Sequence, residues 1–283
     1  MVAKAATLPA DEIVLDLEDA IGAGPGQKAA ARAELARLVE QVDFGGRILA
    51  VRINQVGRAE SLRDLVELVP RIGARLDCIV VPKVSRVAEV GFVEHCLTAL
   101  ESEAGLKSPI GLELQIEGPA GLEAASELAG SSDRLEALIF GPGDFASAMG
   151  MPQLAIGGAP DAYPGDIWHY PLYRIAVAAR ARGLQVIDGP YSAIADFEGL
   201  ELACRRGAAL GLDGKWAIHP SQLEPINSAF TPSPAQVERA RAVVTQLEGG
   251  PGVASMDGEM IDGASLRMAA TILARAGREA ERP

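Results

Sequence analysis

Aromatic residues and cysteines are both scarce in this chain of 283 residues. Phe, Trp and Tyr together make up 4% of the sequence, so any core must be built mainly from aliphatic side chains. The three cysteines (Cys78, Cys96 and Cys204) are an odd number without the spacing of a metal site, which indicates reduced thiols. The first residues of the sequence lack the apolar core of a signal sequence, and no apolar run approaches the ~18 residues of a membrane span. We therefore expect a cytoplasmic protein.

Basic side chains are also in deficit. Lys and Arg number 26 against 38 Asp and Glu, which gives a formal net charge of −12 at pH 7. Such a charge argues against non-specific binding to nucleic acid or to an anionic membrane. A ligand that carries phosphate must therefore be held by local Lys and Arg side chains rather than by the overall field of the protein.

Short strand-like runs alternate with longer segments of helical spacing along most of the chain. The predicted strands are residues 12–17, 48–54, 78–84, 110–117, 137–141, 184–189 and 215–219. The predicted helices are residues 26–42, 59–75, 86–104, 119–130, 167–182, 194–210 and 221–229. This order predicts right-handed crossover connections and a parallel sheet of the α/β class.

Polar residues on one strand face favour a TIM (β/α)8-type barrel over an open sheet. Glu113, Gln115 and Glu117 share one face of their predicted strand, whereas a parallel sheet buried on both faces is apolar throughout. A barrel places functional groups at the carboxyl ends of its strands. Eight strands are needed and seven are counted, and residues 1–9 resemble the end of a helix. We expect the barrel to occupy residues 1–229, with its first strand missing from this chain.

The alternation stops after residue 229, and we expect a helical lid over residues 230–283. Ser233 is the predicted cap of a helix that begins at Pro234 and continues to about residue 246. A glycine-rich loop is predicted over residues 249–258, followed by a last helix over residues 260–276. Small helices on a flexible connection are typical of lids.

Two predicted strands lead into acidic residues. Glu117 ends the strand 110–117, and Asp144 follows the next strand after a tight Gly-Pro-Gly turn. Neighbouring parallel strands bring these carboxylates to one edge of the sheet, where hard oxygen ligands with room for water suit Mg²⁺ or Mn²⁺. Without a metal, the two acids would be helix caps or solvated side chains.

Other polar residues stand at the same predicted edge. Arg52 is interpreted as a substrate-binding guanidinium for a carboxylate or enolate oxygen, the alternative being a plain salt bridge. Glu18, Asp19 and Lys83 are expected to support the site rather than to react. His219 ends the last predicted strand, where binding of substrate and a bond to the backbone remain equal alternatives.

Eight motifs, in this order, resemble the citrate lyase β-subunit/malyl-CoA lyase family of CoA-ester lyases, also described as HpcH/HpaI aldolase-type proteins. They are Leu-Asp-Leu-Glu-Asp-Ala (15–20), Val-Arg-Ile-Asn (51–54), Val-Pro-Lys-Val (81–84), Leu-Glu-Leu-Gln-Ile-Glu (112–117), Gly-Pro-Gly-Asp (141–144), Ile-Asp-Gly-Pro-Tyr (187–191), Gly-Lys-Trp-Ala-Ile-His-Pro (214–220) and Gly-Glu-Met-Ile-Asp (258–262). The extended segment 149–174, with Tyr163-Pro164, is more similar to the malyl-CoA lyase branch.

The resemblance implies a barrel with a lid that is shared between subunits of a homotrimer or hexamer. Glu117 and Asp144 match positions that bind Mg²⁺ in the family, and Arg52 matches a substrate contact. The backbone at Gly143 and Asp144 would hold the oxo acid. Asp262 matches the base that the lid of a neighbouring subunit brings to the methyl group of acetyl-CoA.

The implied reaction is the reversible Claisen-type cleavage of a malyl-CoA-like 3-hydroxyacyl-CoA to acetyl-CoA or propionyl-CoA and a 2-oxo acid such as glyoxylate. Alternatives on the same scaffold are a citramalyl-CoA lyase, a malyl-CoA thioesterase and a citrate lyase β-like subunit. A class II pyruvate aldolase is less favoured, because those barrels lack a lid with the 258–262 motif. The non-enzymatic alternative is a CoA-binding scaffold subunit, which the missing strand makes plausible.

Overall fold

The protein divides into two compact units. The computed structural model describes residues 2–22, 24, 26–152, 154–158, 165–248, 250 and 252–280. The first unit is Met1–Ile226 and the second is Asn227–Pro283. The Tyr163-Pro164 feature of the predicted extended segment lies outside the described residues.

The first unit is built around a parallel sheet whose strands follow one another in chain order. The strands are β1 (Glu12–Asp16), β2 (Ile48–Arg52), β3 (Cys78–Val81), β4 (Gly111–Ile116), β5 (Leu135–Phe140), β6 (Gln185–Asp188) and β7 (Gly214–Lys215). Each is hydrogen-bonded to the next in a parallel register. The prediction of a TIM-barrel-like α/β fold is confirmed by this order.

Helices follow most of the strands, as the sequence predicted. They are α1 (Val2–Ala5), α2 (Gln27–Gln41), α3 (Ala59–Ile72), α4 (Val87–Ala104), α5 (Pro119–Glu123), α6 (Ala125–Leu128), α7 (Pro142–Ala148), α8 (His169–Arg180), α9 (Phe197–Ala209) and α10 (Leu223–Phe230). Two 3₁₀ turns occur at Gly73–Arg75 and Pro220–Gln222. In the described part of the chain, no helix has both the length and the apolar character needed to cross a bilayer.

Three local predictions need correction. The segment 119–130 forms two short helices, α5 and α6, instead of one. The predicted strand 215–219 is reduced to Gly214–Lys215, and its expected last residue, His219, instead caps a 3₁₀ turn, where its ring nitrogen accepts a hydrogen bond from the backbone N–H of Ser221. Helix α7 was not expected, since its Pro-Gly start is typical of a turn; a proline without an N–H is nevertheless well suited to the first helical position.

The inner face of the sheet carries an apolar cluster of Ala50, Cys78, Val80 and Ile139. These four side chains are almost fully buried, and Trp216 packs against them. Above the cluster, towards the carboxyl ends of the strands, lie Arg52 and its polar neighbours, described below. The aliphatic layer therefore separates the two ends of the inner face.

Acidic side chains converge near the amino ends of the strands. Glu12 begins β1 and Glu113 lies within β4, and each has a buried carboxylate oxygen without a hydrogen-bond partner. Burial raises the pKa of Glu12 to about 7, and Glu136 and Asp77 add to this effect by their negative charge. Burial also raises the pKa of Glu113, and the charge of Glu12 raises it further. Folding therefore increases the affinity of this pair of carboxylates for a proton.

Beyond the end of α10, the described residues of the second unit form two helices and a β-hairpin. They are α11 (Pro234–Leu247), β8 (Val253–Met256), β9 (Glu259–Asp262) and α12 (Gly263–Ala280). The predicted cap is present, because the Ser233 hydroxyl accepts from the Gln236 backbone N–H and the Gln236 side chain accepts in return from the Ser233 N–H.

The hairpin corrects the prediction of a loop over 249–258 and of a helix that begins at residue 260. Strands β8 and β9 pair antiparallel around Asp257 and Gly258, which both adopt positive φ angles (54° and 82°). This conformation matches the right-handed twist of the strands, and Asp-Gly is a strong sequence signal for it. An apolar cluster of Ala240, Val243, Ile261 and Ala269 joins the hairpin to the helices.

Candidate functional site

Polar side chains from four consecutive strands meet at the carboxyl edge of the sheet. Arg52 ends β2, Lys83 follows β3, Glu117 follows β4, and Asp144 lies in the first turn of α7 after β5. Because the strands are parallel, their carboxyl ends lie at one edge, so residues far apart in sequence become neighbours. This edge is the candidate site.

Lys83 connects the two predicted metal ligands. Its backbone N–H donates to Glu117 Oε2 at 2.9 Å, and its ammonium lies 3.3 Å from Asp144 Oδ2. The same ammonium donates to Glu18 Oε1 at 2.8 Å and lies 3.4 Å from Asp19 Oδ1. The residues expected at the end of β1 therefore lie beside those from β4 and β5.

Glu117 is inserted where a neighbouring residue has no side chain. A Cβ atom at Gly141 would collide with the Cγ and Oε1 atoms of Glu117, so only glycine leaves room for this carboxylate. Glu117 is buried, with 6% of its surface exposed, whereas the side chain of Asp144 is 44% exposed. The two carboxylates thus differ in environment, one enclosed and one open to solvent.

The environment of Glu117 opposes its negative charge. Burial, followed by the charges of Glu18 and Asp144, raises the pKa of Glu117 from 4.5 to about 8, although Lys83 and Arg52 lower it in part. Burial also raises the pKa of Glu18, against the opposing effect of the same two cations. Because burial and neighbouring negative charges oppose ionisation here, an additional cation would stabilise the charged form of these carboxylates.

Arg52 is held by contacts on several sides. Its Nε and Nη2 donate to the two oxygens of Asp16 at 2.8 Å and 2.7 Å, which is a bidentate ion pair. Nη1 donates to Gln115 Oε1 at 3.4 Å and lies 3.3 Å from Glu18 Oε2. The guanidinium also lies over the Trp216 ring, 5.4 Å from its centroid. These contacts fix the plane of the guanidinium.

The remaining predicted site residues lie as follows. Gly143 is in the first turn of α7, beside Asp144, where the backbone N–H groups lack acceptors within the helix. His219 is exposed and bonds to the Ser221 backbone and hydroxyl, which matches the backbone alternative; no contact between His219 and the residues around Lys83 is observed among the described residues.

Asp262 belongs to the second unit. Its carboxylate accepts from the backbone N–H groups of Ala264 and Ser265, so that it caps helix α12, while its own N–H donates to the Ser265 hydroxyl. These bonds, with that from Ser265 the largest cause, lower the pKa of Asp262 below its usual 3.8. In this conformation Asp262 is a weak base.

Sequence reasoning missed two contributors. Trp216 was not singled out, although it follows the Gly-Lys pair of β7 and covers Arg52. Lys28, near the start of α2, donates from its ammonium to the carbonyl oxygens of Leu17 and Glu18 and so holds the segment after β1. Lys28 has no local sequence signal. Trp216 lies within the motif 214–220, but its contact with Arg52 joins distant parts of the chain and is not encoded locally.

The donor set of the site fits a divalent cation with hard ligands. In the ranges that the structure describes, no group of three or more His, Cys, Asp and Glu side chains forms a metal-binding cluster on its own. Mg²⁺, however, is commonly bound through one or two carboxylates and keeps several waters or substrate oxygens. Glu117 and Asp144 meet that requirement, and the buried Glu18 Oε2 has an ion pair with Arg52 at 3.3 Å but no hydrogen-bond partner.

The chain is similar to several known proteins over nearly its whole length. An L-malyl-CoA/beta-methylmalyl-CoA lyase of Cereibacter sphaeroides is 38% identical over 286 residues, which covers 96% of this chain and 89% of the relative. A (3S)-malyl-CoA thioesterase of the same species is 36% identical, covering 96% and 89%. The crystal structure of CitE from Mycobacterium tuberculosis in complex with magnesium, acetoacetate and coenzyme A matches with a TM-score of 0.76 and 30% identity, over 97% of this chain and 92% of that one.

The family assignment rests on two independent matches. The model of the HpcH/HpaI aldolase/citrate lyase family covers residues 1–220, which is the strand-and-helix region that contains the site. The relatives extend the similarity over nearly the whole chain. The resemblance inferred from the motifs is confirmed: this chain belongs to the HpcH/HpaI aldolase/citrate lyase family.

Proposed function

We propose that this protein is a Mg²⁺-dependent lyase that cleaves a malyl-CoA-like 3-hydroxyacyl-CoA to acetyl-CoA or propionyl-CoA and glyoxylate, reversibly. The observation that carries the proposal is the convergence of Glu117 and Asp144 on Lys83, one strand away from a fixed Arg52. The chain is an enzyme of the lyase type that acts on CoA esters, as its family and relatives indicate.

The metal is proposed to bind between Glu117 and Asp144. Magnesium in the CitE complex supports this choice, as does the unfavourable environment of the Glu117 carboxylate. When bound, the ion would act as a Lewis acid on the carbonyl oxygen of the 2-oxo acid. Mn²⁺ has the same preference for oxygen ligands and is expected to substitute for it.

Arg52 is proposed to stabilise the enolate of the thioester. Asp16 and Trp216 hold the guanidinium in one plane, so donors are oriented before the reaction begins. Preorganised donors of this kind stabilise charge that develops in the transition state. The backbone N–H groups at Gly143 and Asp144 are proposed to bind the carboxylate of the oxo acid, since they have no acceptors within helix α7.

Asp262 is proposed as the base. In the direction of synthesis its carboxylate accepts a proton from the acetyl methyl group, the enolate carbon bonds to the oxo carbon, and the new alkoxide takes up a proton. Cleavage reverses these steps. The two hydrogen bonds that lower the pKa of Asp262 must weaken, or the group must be buried, for it to remove such a proton efficiently. We infer from the family resemblance that a homo-oligomer supplies this residue from a second copy.

Hydrolysis of malyl-CoA is the second candidate function. The thioesterase of Cereibacter sphaeroides, 36% identical, supports it. In that reaction water would add to the thioester carbonyl carbon, and the C–S bond would break to release malate and free CoA. Arg52 would stabilise the oxyanion that forms on the thioester oxygen, and a bound ion would hold the malyl carboxylate and hydroxyl. Citramalyl-CoA cleavage and a citrate lyase β-like role remain alternatives for the substrate.

Product analysis with malyl-CoA tests these proposals. The purified protein is incubated with malyl-CoA and MgCl₂, with and without EDTA, and the products are separated by chromatography. We expect acetyl-CoA and glyoxylate, and no products with EDTA. Glu117→Gln and Asp144→Asn variants should be inactive at the same protein concentration. Malate and free CoA instead would establish the thioesterase, and EDTA-resistant activity would contradict the metal.

A further inference from the structure

Lys83 contacts both proposed metal ligands, but through different groups. Its backbone N–H bonds to Glu117, whereas its ammonium faces Asp144, Glu18 and Asp19. The two contacts are therefore separable: a substitution at this position changes the ammonium and leaves a backbone N–H in place. The role that the ammonium has towards a bound metal rests on the proposed metal site.

The backbone of Lys83 adopts a conformation that favours glycine over lysine. Lys83 has a φ of 55°, in the left-handed region that glycine adopts at the lowest cost. The hydrogen bond to Glu117 requires only this backbone conformation, which glycine would supply without strain. A lysine at this position has a less favourable backbone conformation than a glycine would, but it provides a positively charged side chain.

The contacts of the ammonium differ in strength. It donates a hydrogen bond to Glu18 at 2.8 Å, but its 3.3 Å contact with Asp144 is an ion pair between a partly exposed cation and an open carboxylate. The contact with Asp144 is thus the weaker of the two, and Lys has a flexible stem that can turn towards Glu18 and Asp19 without moving the backbone.

We propose that the Lys83 ammonium is the built-in counter-ion of the metal-free site, and that a divalent cation displaces it from Asp144. Without metal, the ammonium neutralises part of the charge of Glu18, Asp19 and Asp144. When a metal binds, the two cations repel each other and the ammonium withdraws towards Glu18. Lys83 therefore stabilises the metal-free protein and weakens its affinity for the metal.

Removal of the Lys83 charge should change metal affinity in the opposite direction to removal of an ordinary supporting residue. A residue that merely orients the ligands should weaken metal binding when it is removed. Removal of a competing cation should instead strengthen binding, because one repulsive charge disappears and Asp144 is released. The same removal should destabilise the metal-free protein, in which the carboxylates would then repel one another.

Direct metal binding distinguishes these possibilities. Mn²⁺ is titrated into the metal-free full-length protein and the free ion is measured by electron paramagnetic resonance; thermal unfolding is recorded in EDTA. The variants are Lys83→Met, which keeps the length of the stem without the charge, and Lys83→Arg, which keeps the charge. Lys107→Met, at an exposed position before β4, is the matched control.

We expect Lys83→Met to bind Mn²⁺ at least about fivefold more tightly and to have a lower Tm in EDTA, while Lys83→Arg and Lys107→Met resemble the wild type. Equal or weaker binding by Lys83→Met would overturn the counter-ion role while the metal site stands. If Glu117→Gln and Asp144→Asn bind Mn²⁺ as the wild type does, the proposed metal site itself is wrong, and this inference fails with it.

Discussion

Arg52 and Asp16 form a bidentate ion pair across two neighbouring strands of the sheet. The donor–acceptor distances are 2.8 Å and 2.7 Å, and both residues lie at the same register position of β1 and β2. Although burial alone would raise it, the hydrogen bonds and charge of Arg52 lower the pKa of Asp16 below its usual 3.8. The pair is thus ionised at neutral pH and orients the guanidinium towards the candidate site.

Replacement of Arg52 by Lys should show what this geometry contributes. A lysine keeps the charge but cannot make two parallel bonds to Asp16 or lie flat on Trp216. We expect a loss of about 1–3 kcal/mol in the free energy of unfolding, measured with urea, and a fall in kcat of about 100-fold.

Arg37 offers a matched control for this substitution. It makes the same two-bond contact with Glu34, at 2.8 Å and 2.7 Å, but on the exposed surface of α2. Exposed ion pairs contribute little to stability, so Arg37→Lys should leave both the unfolding midpoint and kcat unchanged. Equal effects of the two substitutions would contradict a special role for the buried pair.

The Glu12–Glu113 pair should make stability depend on pH. The pKa of Glu12 is raised to about 7 from 4.5, and that of Glu113 is raised as well, so the folded chain binds protons here more tightly than the unfolded chain. The stability associated with the pair is complete below the unfolded pKa of 4.5 and is lost as the pH rises through about 7. Glu113→Gln, which stays neutral, should remove the part of this loss that comes from Glu113, whereas Glu12 still contributes its own part.

Urea unfolding in EDTA at about pH 5 and about pH 8 measures the difference. Relative to the wild type, Glu113→Gln should gain about 1–3 kcal/mol at the higher pH and little at the lower. Glu103→Gln, at an exposed position of α4, is the control and should show no such pH-dependent gain. A parallel shift of Glu113→Gln at both pH values would indicate a packing effect rather than a proton-linked one.

The order of the sheet and the edge that carries the site could be predicted from the sequence. Strand-like and helical periodicities are local properties, and parallel strands bring Glu117 and Asp144 to the same edge whatever the details of packing. The orientation of Arg52 could not be predicted. It depends on Asp16 and on Trp216, which are brought to it by β1 and by the chain after β7, and no local pattern encodes that meeting.

The hairpin of the second unit was predictable but was missed for a physical reason. Its strands have only four residues each, and glycines before them suggested a loop. The Asp257-Gly258 pair was the available signal, because both residues must adopt positive φ. Strand β9 ends at Asp262, so this turn determines where the proposed base lies relative to helix α12.

Gly189 should influence the metal site without contributing a ligand. A Cβ atom there would collide with the carbonyl oxygen of Phe140 and with Cδ of Pro142, which begins the helix that carries Asp144. Gly189→Ala should therefore displace α7 and weaken Mn²⁺ binding by about tenfold, since metal ligands must be held within about 0.5 Å. Gly91→Ala, in α4 with open space around it, should leave Mn²⁺ affinity unchanged. Unchanged affinity in Gly189→Ala would mean that α7 adjusts independently of β6.

Asp262→Asn should separate the charge of this residue from its structural role. An asparagine oxygen can still accept from the N–H groups of Ala264 and Ser265, so the cap of α12 is retained while the proton acceptor is lost. We expect turnover of malyl-CoA to fall by about 10²–10⁴-fold, the usual contribution of a general base, with an unchanged Tm and unchanged Mn²⁺ affinity. Asp257→Asn removes an equal charge from the same hairpin and should keep full activity. Wild-type turnover in Asp262→Asn would require another base, whereas a large fall in both variants would point to the net charge of the hairpin.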